Sequence, residues 1–250
     1  MMSEVYYWSP CLNKVGTYWS TMNSAMSLAK YSDKKFSVKI FNICGEWDTQ
    51  RNFLEQNNIE IINLGPNYFK FLPKSGFLKS RISFFFIFFI SFFPLLFFLK
   101  KKKPEFLVAH LITSLPITLF SLFSFKTKLI LRISGLPKLN IIRKTLWKIV
   151  SNKIYKVTCP SKDLLSYLDK MRIFQNSKIC FLQDPIIRIE KFISDIKSFK
   201  NKIDYSKNRK YFISVGRLTK QKNFSYLINE FKEFSKTNNN YDLMIFGEGE

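Results

Sequence analysis

Phe212-Ile213-Ser214-Val215-Gly216-Arg217-Leu218-Thr219-Lys220-Gln221-Lys222-Asn223-Phe224 reads as a strand ending in a glycine, then a short basic turn, then the start of a helix. Tyr211, Phe212, Ile213 and Val215 are aromatic or β-branched, which predicts a strand over 211–215. Over residues 223–236, Phe224, Leu227, Ile228, Phe231 and Phe234 fall on one helical face, with Asn223 as the expected N-cap. Residues 241–246 supply a second apolar strand. Strand, helix and strand in one direction make a βαβ unit, the element from which parallel sheets are built. One such unit of about 30 residues cannot close a core alone, so a domain over residues 210–250 is expected to be incomplete.

The same alternation fills the first part of the chain. Residues 5–8 form an apolar run, and Tyr18, Met22, Ala25 and Ala29 follow at helical spacing. Strands are predicted at 36–43, 59–64, 106–109, 128–133, 156–159 and 178–182, with helices at 47–56, 115–125, 141–150 and 163–171 between them. The fold class is therefore α/β: a doubly wound, Rossmann-like parallel sheet over residues 1–185. Asp184-Pro185 marks a turn, and the Lys-rich residues 186–209 read as a linker to the second domain.

Composition bounds what this chain does. Its 250 residues are 46% hydrophobic, 17% aromatic and 23% charged, which excludes collagen-like, coiled-coil and intrinsically disordered classes. The net charge is +22, and 32 of the 40 basic residues are Lys. Such a field attracts phosphates, acidic headgroups or nucleic acid. Lys, Asn, Phe and Ile have A/T-rich codons, and Ala occurs only three times, so genome bias supplies part of the charge and only local clusters count as signals. A basic phosphate- or nucleic-acid-binding protein without catalysis is therefore one alternative, but no pattern of a nucleic-acid-binding module is found, so no nucleic-acid partner is expected. Cys11, Cys44, Cys159 and Cys180 are scattered without metal-ligand spacing and read as reduced thiols in a cytosolic protein. The start of the chain lacks the pattern of a secretory signal.

Residues 82–99 contain no charge and nine Phe, between Lys79 and Arg81 on one side and Lys100-Lys101-Lys102-Lys103 on the other. At 1.5 Å per residue the stretch is about 27 Å long, near the roughly 30 Å of a bilayer core. A spanning helix would nevertheless put strands of one sheet on opposite sides of a membrane, and Pro94 is expected to interrupt it. The favoured reading is an interfacial segment that sinks Phe into one leaflet while the lysines meet acidic headgroups, with a buried core helix and a transmembrane span as competitors. A polytopic membrane protein pairing this segment with residues 111–125 is a further alternative, although fifteen residues are short for a span.

Chemistry concentrates at strand ends. Arg217 follows the strand terminus at Gly216, and Lys222 precedes the helix, where free backbone N–H groups and the helix dipole favour phosphate. This block resembles the donor-diphosphate motif of glycosyltransferase family 4, enzymes of GT-B fold with two Rossmann-like domains facing a cleft. Further along the chain, Asn13-Lys14-Val15-Gly16-Thr17 resembles that family's loop after the first strand. Val157-Thr158-Cys159-Pro160-Ser161 is similar to its strand-then-Ser segment, and Gln183-Asp184-Pro185-Ile186 to its crossover. Residues 241–249, with Gly247, resemble the strand followed by Gly-x-Gly.

The resemblance implies a hexosyltransferase-type enzyme that takes sugar from a nucleotide-diphosphate donor, with retention and without a metal or other cofactor. The implied acceptor is a glycan or a lipid-linked saccharide at the acidic inner face of the plasma membrane, in envelope polysaccharide or lipopolysaccharide synthesis. Arg217 and Lys222 would hold the diphosphate, and Gly16, Thr17, Gly135, Gly216 and Gly247 would shape cleft loops. His110, the one histidine, ends an apolar strand and is the candidate catalytic residue. The family's acidic motif, two glutamates seven residues apart, follows the Gly-x-Gly. The sequence stops at Glu250 before that motif could occur, and Glu248 and Glu250 are too close together to replace it. A C-terminally incomplete and inactive chain is expected on that basis.

Overall fold

The computed structural model describes residues 2–12, 16–65, 77–137, 139–199 and 209–249. They divide into two compact units, Met1–Ile189 and Glu190–Glu250. The first unit contains, in chain order, β1 (Ser3–Trp8), α1 (Gly16–Tyr31), β2 (Phe36–Asn42), α2 (Arg51–Gln56), β3 (Ile59–Asn63), α3 (Phe77–Lys102) and β4 (Phe106–Ala109). It continues through α4 (Ser114–Leu122), β5 (Lys128–Arg132), α5 (Ile141–Val150), β6 (Ile154–Cys159), α6 (Lys162–Lys170) and β7 (Ile179–Phe181). The seven strands pair in the order β3-β2-β1-β4-β5-β6-β7, every pair parallel. This is the doubly wound, Rossmann-like α/β arrangement expected, and its order reverses between β1 and β4. The crevice outside the carboxyl ends at that reversal is where open α/β sheets bind ligands.

Strand side chains alternate between two cores. Tyr6, Trp8, Leu107, Ala109, Leu129 and Leu131 face one core, closed by α3, α4, α5 and α6. Val5, Tyr7, Val38, Ile40, Ile59 and Ile61 face the other, closed by α1 and α2. Tyr18 of α1 stacks on Trp47 at 4.4 Å, with both rings fully buried. On this second face, among the described residues, no helix covers β5, β6 and β7.

α3 is one helix of 26 residues with Pro94 inside it. The expected interruption at Pro94 is therefore corrected: Leu95, Leu96 and Leu99, just beyond the proline, are buried in the core and hold the helix in place. Ser83, Ile87, Ser91, Leu95 and Leu99 recur every fourth residue and form the buried stripe, while Phe84, Phe85, Phe86, Phe89, Phe93 and Phe97 are exposed. Residues 82–102 are long and apolar enough to cross a membrane, with a third of the apolar window buried. β1 and β4, which precede and follow α3, pair directly from Val5↔Phe106 to Trp8↔Ala109. A crossing at α3 would tear that pairing apart. The side chains of Lys79 and Arg81 lie outside the described residues.

Residues 189–199, within the expected linker, form α7 (Ile189–Phe199), whose Ile189, Phe192, Ile193 and Ile196 keep the spacing of one helical face. The second unit continues with β8 (Lys210–Val215), α8 (Phe224–Ser235) and β9 (Tyr241–Phe246), and β8 and β9 pair in parallel. The predicted face of α8 packs as expected: Phe212 of β8 meets Phe231 and Phe234 edge to face at 6.2 and 5.5 Å. Asn223 does not cap α8 with its side chain. It takes a left-handed conformation, φ 52°, which turns the preceding 3-10 segment at 220–222 into the helix, a conformation that Asn tolerates better than most residues.

Candidate functional site

Strand ends in the first unit converge on a buried polar cluster. Arg132, the last residue of β5, is 4% exposed although it carries a full charge. Its Nη2 donates to Asp184 Oδ1 at 2.6 Å and its Nη1 to the Leu182 carbonyl at 2.6 Å. Asp184 also accepts from the Ser20 hydroxyl of α1. Asn23, one turn further along α1, donates to the carbonyls of Pro185 and Ile186 at 2.7 and 3.1 Å. The chain leaving β7 is thereby fastened to β5 and α1. A charge buried this deeply persists only with a partner and further hydrogen bonds, and Asp184 and Leu182 supply them.

His110 follows β4 at the reversal of strand order, its backbone N–H donating to the Trp8 carbonyl at 2.9 Å. The imidazole lies 5.8 Å from the Tyr7 ring and is 7% exposed. Burial, reinforced by the nearby Arg132 charge, pushes its pKa down to about 3. It is therefore neutral at physiological pH, a hydrogen-bonding group and a weak base. His110 Nδ1 and Arg132 Nε are both buried without a partner.

At the carboxyl end of β2, Glu46 accepts from the backbone N–H groups of Ile43 and Cys44. Burial pushes its carboxyl up to about 8, against the opposing effect of those hydrogen bonds. Asn42 beside it donates to Asp48 and Asn63 at 2.8 and 2.9 Å, which fixes the β2-α2 turn.

The predicted loop residues are less constrained here than in the second unit. Gly16 begins α1, is exposed, and would accept a Cβ without meeting any atom within 4 Å; Gly135 is the same. Thr17 offers its carbonyl to the Thr21 hydroxyl at 2.8 Å, and Thr21 in turn reaches Ser9 at 3.0 Å. Residues 13–15 of the same loop lie outside the described residues.

In the second unit the strand ends come close together. A Cβ on Gly247 would sit 1.8 Å from the Gly216 carbonyl oxygen, so only glycine fits there. Gly216 N–H donates to the Phe246 carbonyl at 2.9 Å and Leu218 N–H to the Glu248 carbonyl at 2.8 Å, which carries the parallel alignment past the strands. Arg217 lies between these two bonds and is exposed. The aliphatic part of Lys222, also exposed, passes 3.8 Å from the Cβ position of Gly216. Both cations stand at the carboxyl end of β8, ahead of α8.

That segment has a family likeness. Residues 195–250 match the model of the glycosyl transferases group 1 family. No curated protein sequence matches the chain. Among solved structures it is similar to a glycosyltransferase from Rickettsia africae, at 14% identity and a TM-score of 0.57, over 98% of this chain and 68% of that one. It is also similar to Anabaena Alr3699/HepE in complex with UDP, at 11% identity and a TM-score of 0.50, over 98% and 69%. UDP-GlcNAc 2-epimerase from Methanocaldococcus jannaschii aligns at 12% identity and a TM-score of 0.51, over 98% and 64%. The chain has a GT-B-like fold. It spans about two thirds of the length of these proteins. Transferases and an epimerase share this architecture, so the fold leaves the choice of reaction to the site.

The sequence pointed to His110, Arg217 and Lys222 but missed Ser20, Asp184 and Glu46. The available signal was Arg132: a cation near the end of the apolar strand 128–133 requires a buried anionic partner, and Asp184 follows the predicted strand 178–182 at the same carboxyl edge of the sheet.

Proposed function

We propose that this chain serves glycosyl transfer from a nucleotide-diphosphate sugar to a glycan or lipid-linked acceptor at a membrane surface. One observation carries this reading. The exposed Arg217 and Lys222 stand together at the carboxyl end of β8, within the segment that matches the glycosyl transferases group 1 model. Negative charge grows on the diphosphate as the sugar leaves, and fixed cations and helix N–H groups placed there stabilise that charge without a metal. The UDP held by the Anabaena protein makes UDP the nucleotide to test first.

The acceptor side falls to the first unit, where the strand order reverses beside His110. A neutral buried imidazole suits orientation of an acceptor hydroxyl. Retention of configuration, a role in envelope polysaccharide or lipopolysaccharide synthesis, and a peripheral position on the inner face of the plasma membrane complete the reading. The Phe row of α3, followed by Lys100-Lys101-Lys102-Lys103, supports the membrane assignment: apolar side chains insert while the lysines meet acidic headgroups.

Titration calorimetry with UDP tests the donor site. Arg217→Ala and Lys222→Ala are each expected to weaken binding about tenfold, the effect of losing one charge-assisted phosphate contact. Unchanged UDP affinity in both variants overturns the assignment.

A further inference from the structure

Residues 61–162 contain one of the chain's 18 acidic residues, Glu105, against 18 of its 40 basic ones. Codon bias raises Lys along the whole chain and does not clear one stretch of carboxylates, so this asymmetry is a local signal. The fold gathers much of that stretch on one side of the sheet. α3 lies against α4 and α4 against α5, all over the same core, and none of the three contains Asp or Glu. The neighbouring α6 contains Asp163 and Asp169. Because the buried sides of α3, α4 and α5 face the sheet, their exposed side chains share one outer surface.

That surface is apolar as well as basic. The Phe ridge of α3 is joined by exposed Leu122 at the end of α4 and by Ile141, Ile142 and Ile149 of α5. Ile141 and Ile142 are 85% and 70% exposed, so nothing in the fold covers them. Around the exposed arc of α5, helical spacing puts Lys144 and Lys148 on one flank and Ile142 and Ile149 on the other. Ammonium groups beside apolar side chains, with no carboxylate among them, fit an anionic leaflet: headgroups take the charge and hydrocarbon takes the rings and isoleucines. Protein interfaces are depleted in Lys at their centres, and nucleic acid offers phosphates but no apolar layer for a Phe ridge.

We propose that the whole outer layer of α3, α4 and α5 docks on an anionic leaflet, with α3 as the anchor and α5 as a second contact. This rests on the membrane reading above and extends it. α5 begins beyond the carboxyl end of β5, so Ile141 and Ile142 hold against the leaflet the sheet edge where His110 and Gly135 stand. Three isoleucines expose too little apolar surface to bind the chain by themselves; their part is to fix its tilt.

The test attaches the fluorophore NBD to single cysteines in the full chain, in a Cys180→Ser background that removes the one native thiol not fully buried. The labelled variants are Phe93→Cys on α3, Ile142→Cys and Ile149→Cys on α5, and Ser27→Cys on α1, all at exposed positions that the core does not need. Vesicles of phosphatidylcholine and phosphatidylglycerol carry a doxyl-labelled lipid as quencher. Quenching is expected at 93, 142 and 149 and not at 27, which lies on the other side of the sheet. Lys144→Glu/Lys148→Glu is expected to lower vesicle affinity at least tenfold and to cut quenching at 142 while quenching at 93 persists. Quenching at 93 without quenching at 142 and 149 overturns the proposal and leaves the α3 reading standing, whereas no vesicle binding at all overturns both. Equal quenching at 27 and 142, or quenching at 142 indifferent to the charge reversal, also overturns it. So does preference for a single-stranded RNA over the vesicles. None of these readouts involves UDP, so the donor site is judged separately.

Discussion

Arg132 and Asp184 meet at 2.6 Å, a buried ion pair that joins the end of β5 to the segment leaving β7. The arginine side chain is 3% exposed and the aspartate 20%. The contact joins residues 52 positions apart in the chain, and Ser20 ties α1 into it through the same carboxylate.

Removing one partner strands the other charge. Asp184→Ala is expected to lower stability by about 3–5 kcal/mol, whereas Arg132→Met/Asp184→Ala recovers most of that loss, because a buried ion pair is worth little more than an apolar replacement. Urea unfolding of the two variants checks this, and a double variant no more stable than Asp184→Ala contradicts it.

Glu46 gives stability a downward slope with pH. Its folded carboxyl titrates at about 8 against 4.5 when free, so between those values the unfolded chain releases a proton that the folded chain keeps. Stability therefore falls as pH rises through that window. Glu46→Gln, which keeps the acceptor for Ile43 and Cys44, is expected to flatten the slope in a series of denaturation curves.

His110 acts in the opposite sense. Its imidazole titrates at about 3 in the fold against 6.5 when free, so the unfolded chain takes up a proton first as pH falls. The stability it contributes is present above pH 6.5 and is lost progressively toward pH 3. His110→Asn is expected to be less sensitive to acid than the parent chain across this range, measured by the same curves.

The α3 face is expected to carry the chain onto acidic vesicles. Salt weakens the attraction of Lys100-Lys101-Lys102-Lys103 but leaves Phe insertion intact, so sedimentation with acidic liposomes falls without vanishing. Phe93→Asp/Phe97→Asp is expected to abolish the salt-resistant fraction. Full release of the parent chain by salt refutes insertion.

Gly247→Ala forces a methyl group into the Gly216 carbonyl, 1.8 Å away. The second unit is expected to lose about 1–3 kcal/mol, typical of overpacking, with faster amide exchange in β8 and β9 while the first unit is unaffected.

Much of this architecture was legible in the chain. Residues 106–109, 141–150 and 241–246 form their elements at the predicted boundaries, because period and residue type are local properties. The helix at 189–199 was hidden by reading the Lys-rich composition of 186–209 ahead of the spacing of Ile189, Phe192, Ile193 and Ile196. The side-chain cap at Asn223 failed for a different reason: the tight turn from Lys222 requires a left-handed residue, which takes the position from which the side chain would have capped. For the candidate site, His110, Arg217 and Lys222 were readable as polar residues at strand ends, while Ser20 and Asn23 were ordinary helix residues until α1 was laid against the chain after β7.

The sequence alone determined the alternation of strands and helices, the cations after β8 and the long phenylalanine stretch, since each depends on neighbours a few residues apart. Tertiary structure decided the rest. Which side of α3 is buried, which nitrogen lacks a partner and which half of the sheet stays open depend on groups far apart in the chain, brought together when the strands align and water is excluded.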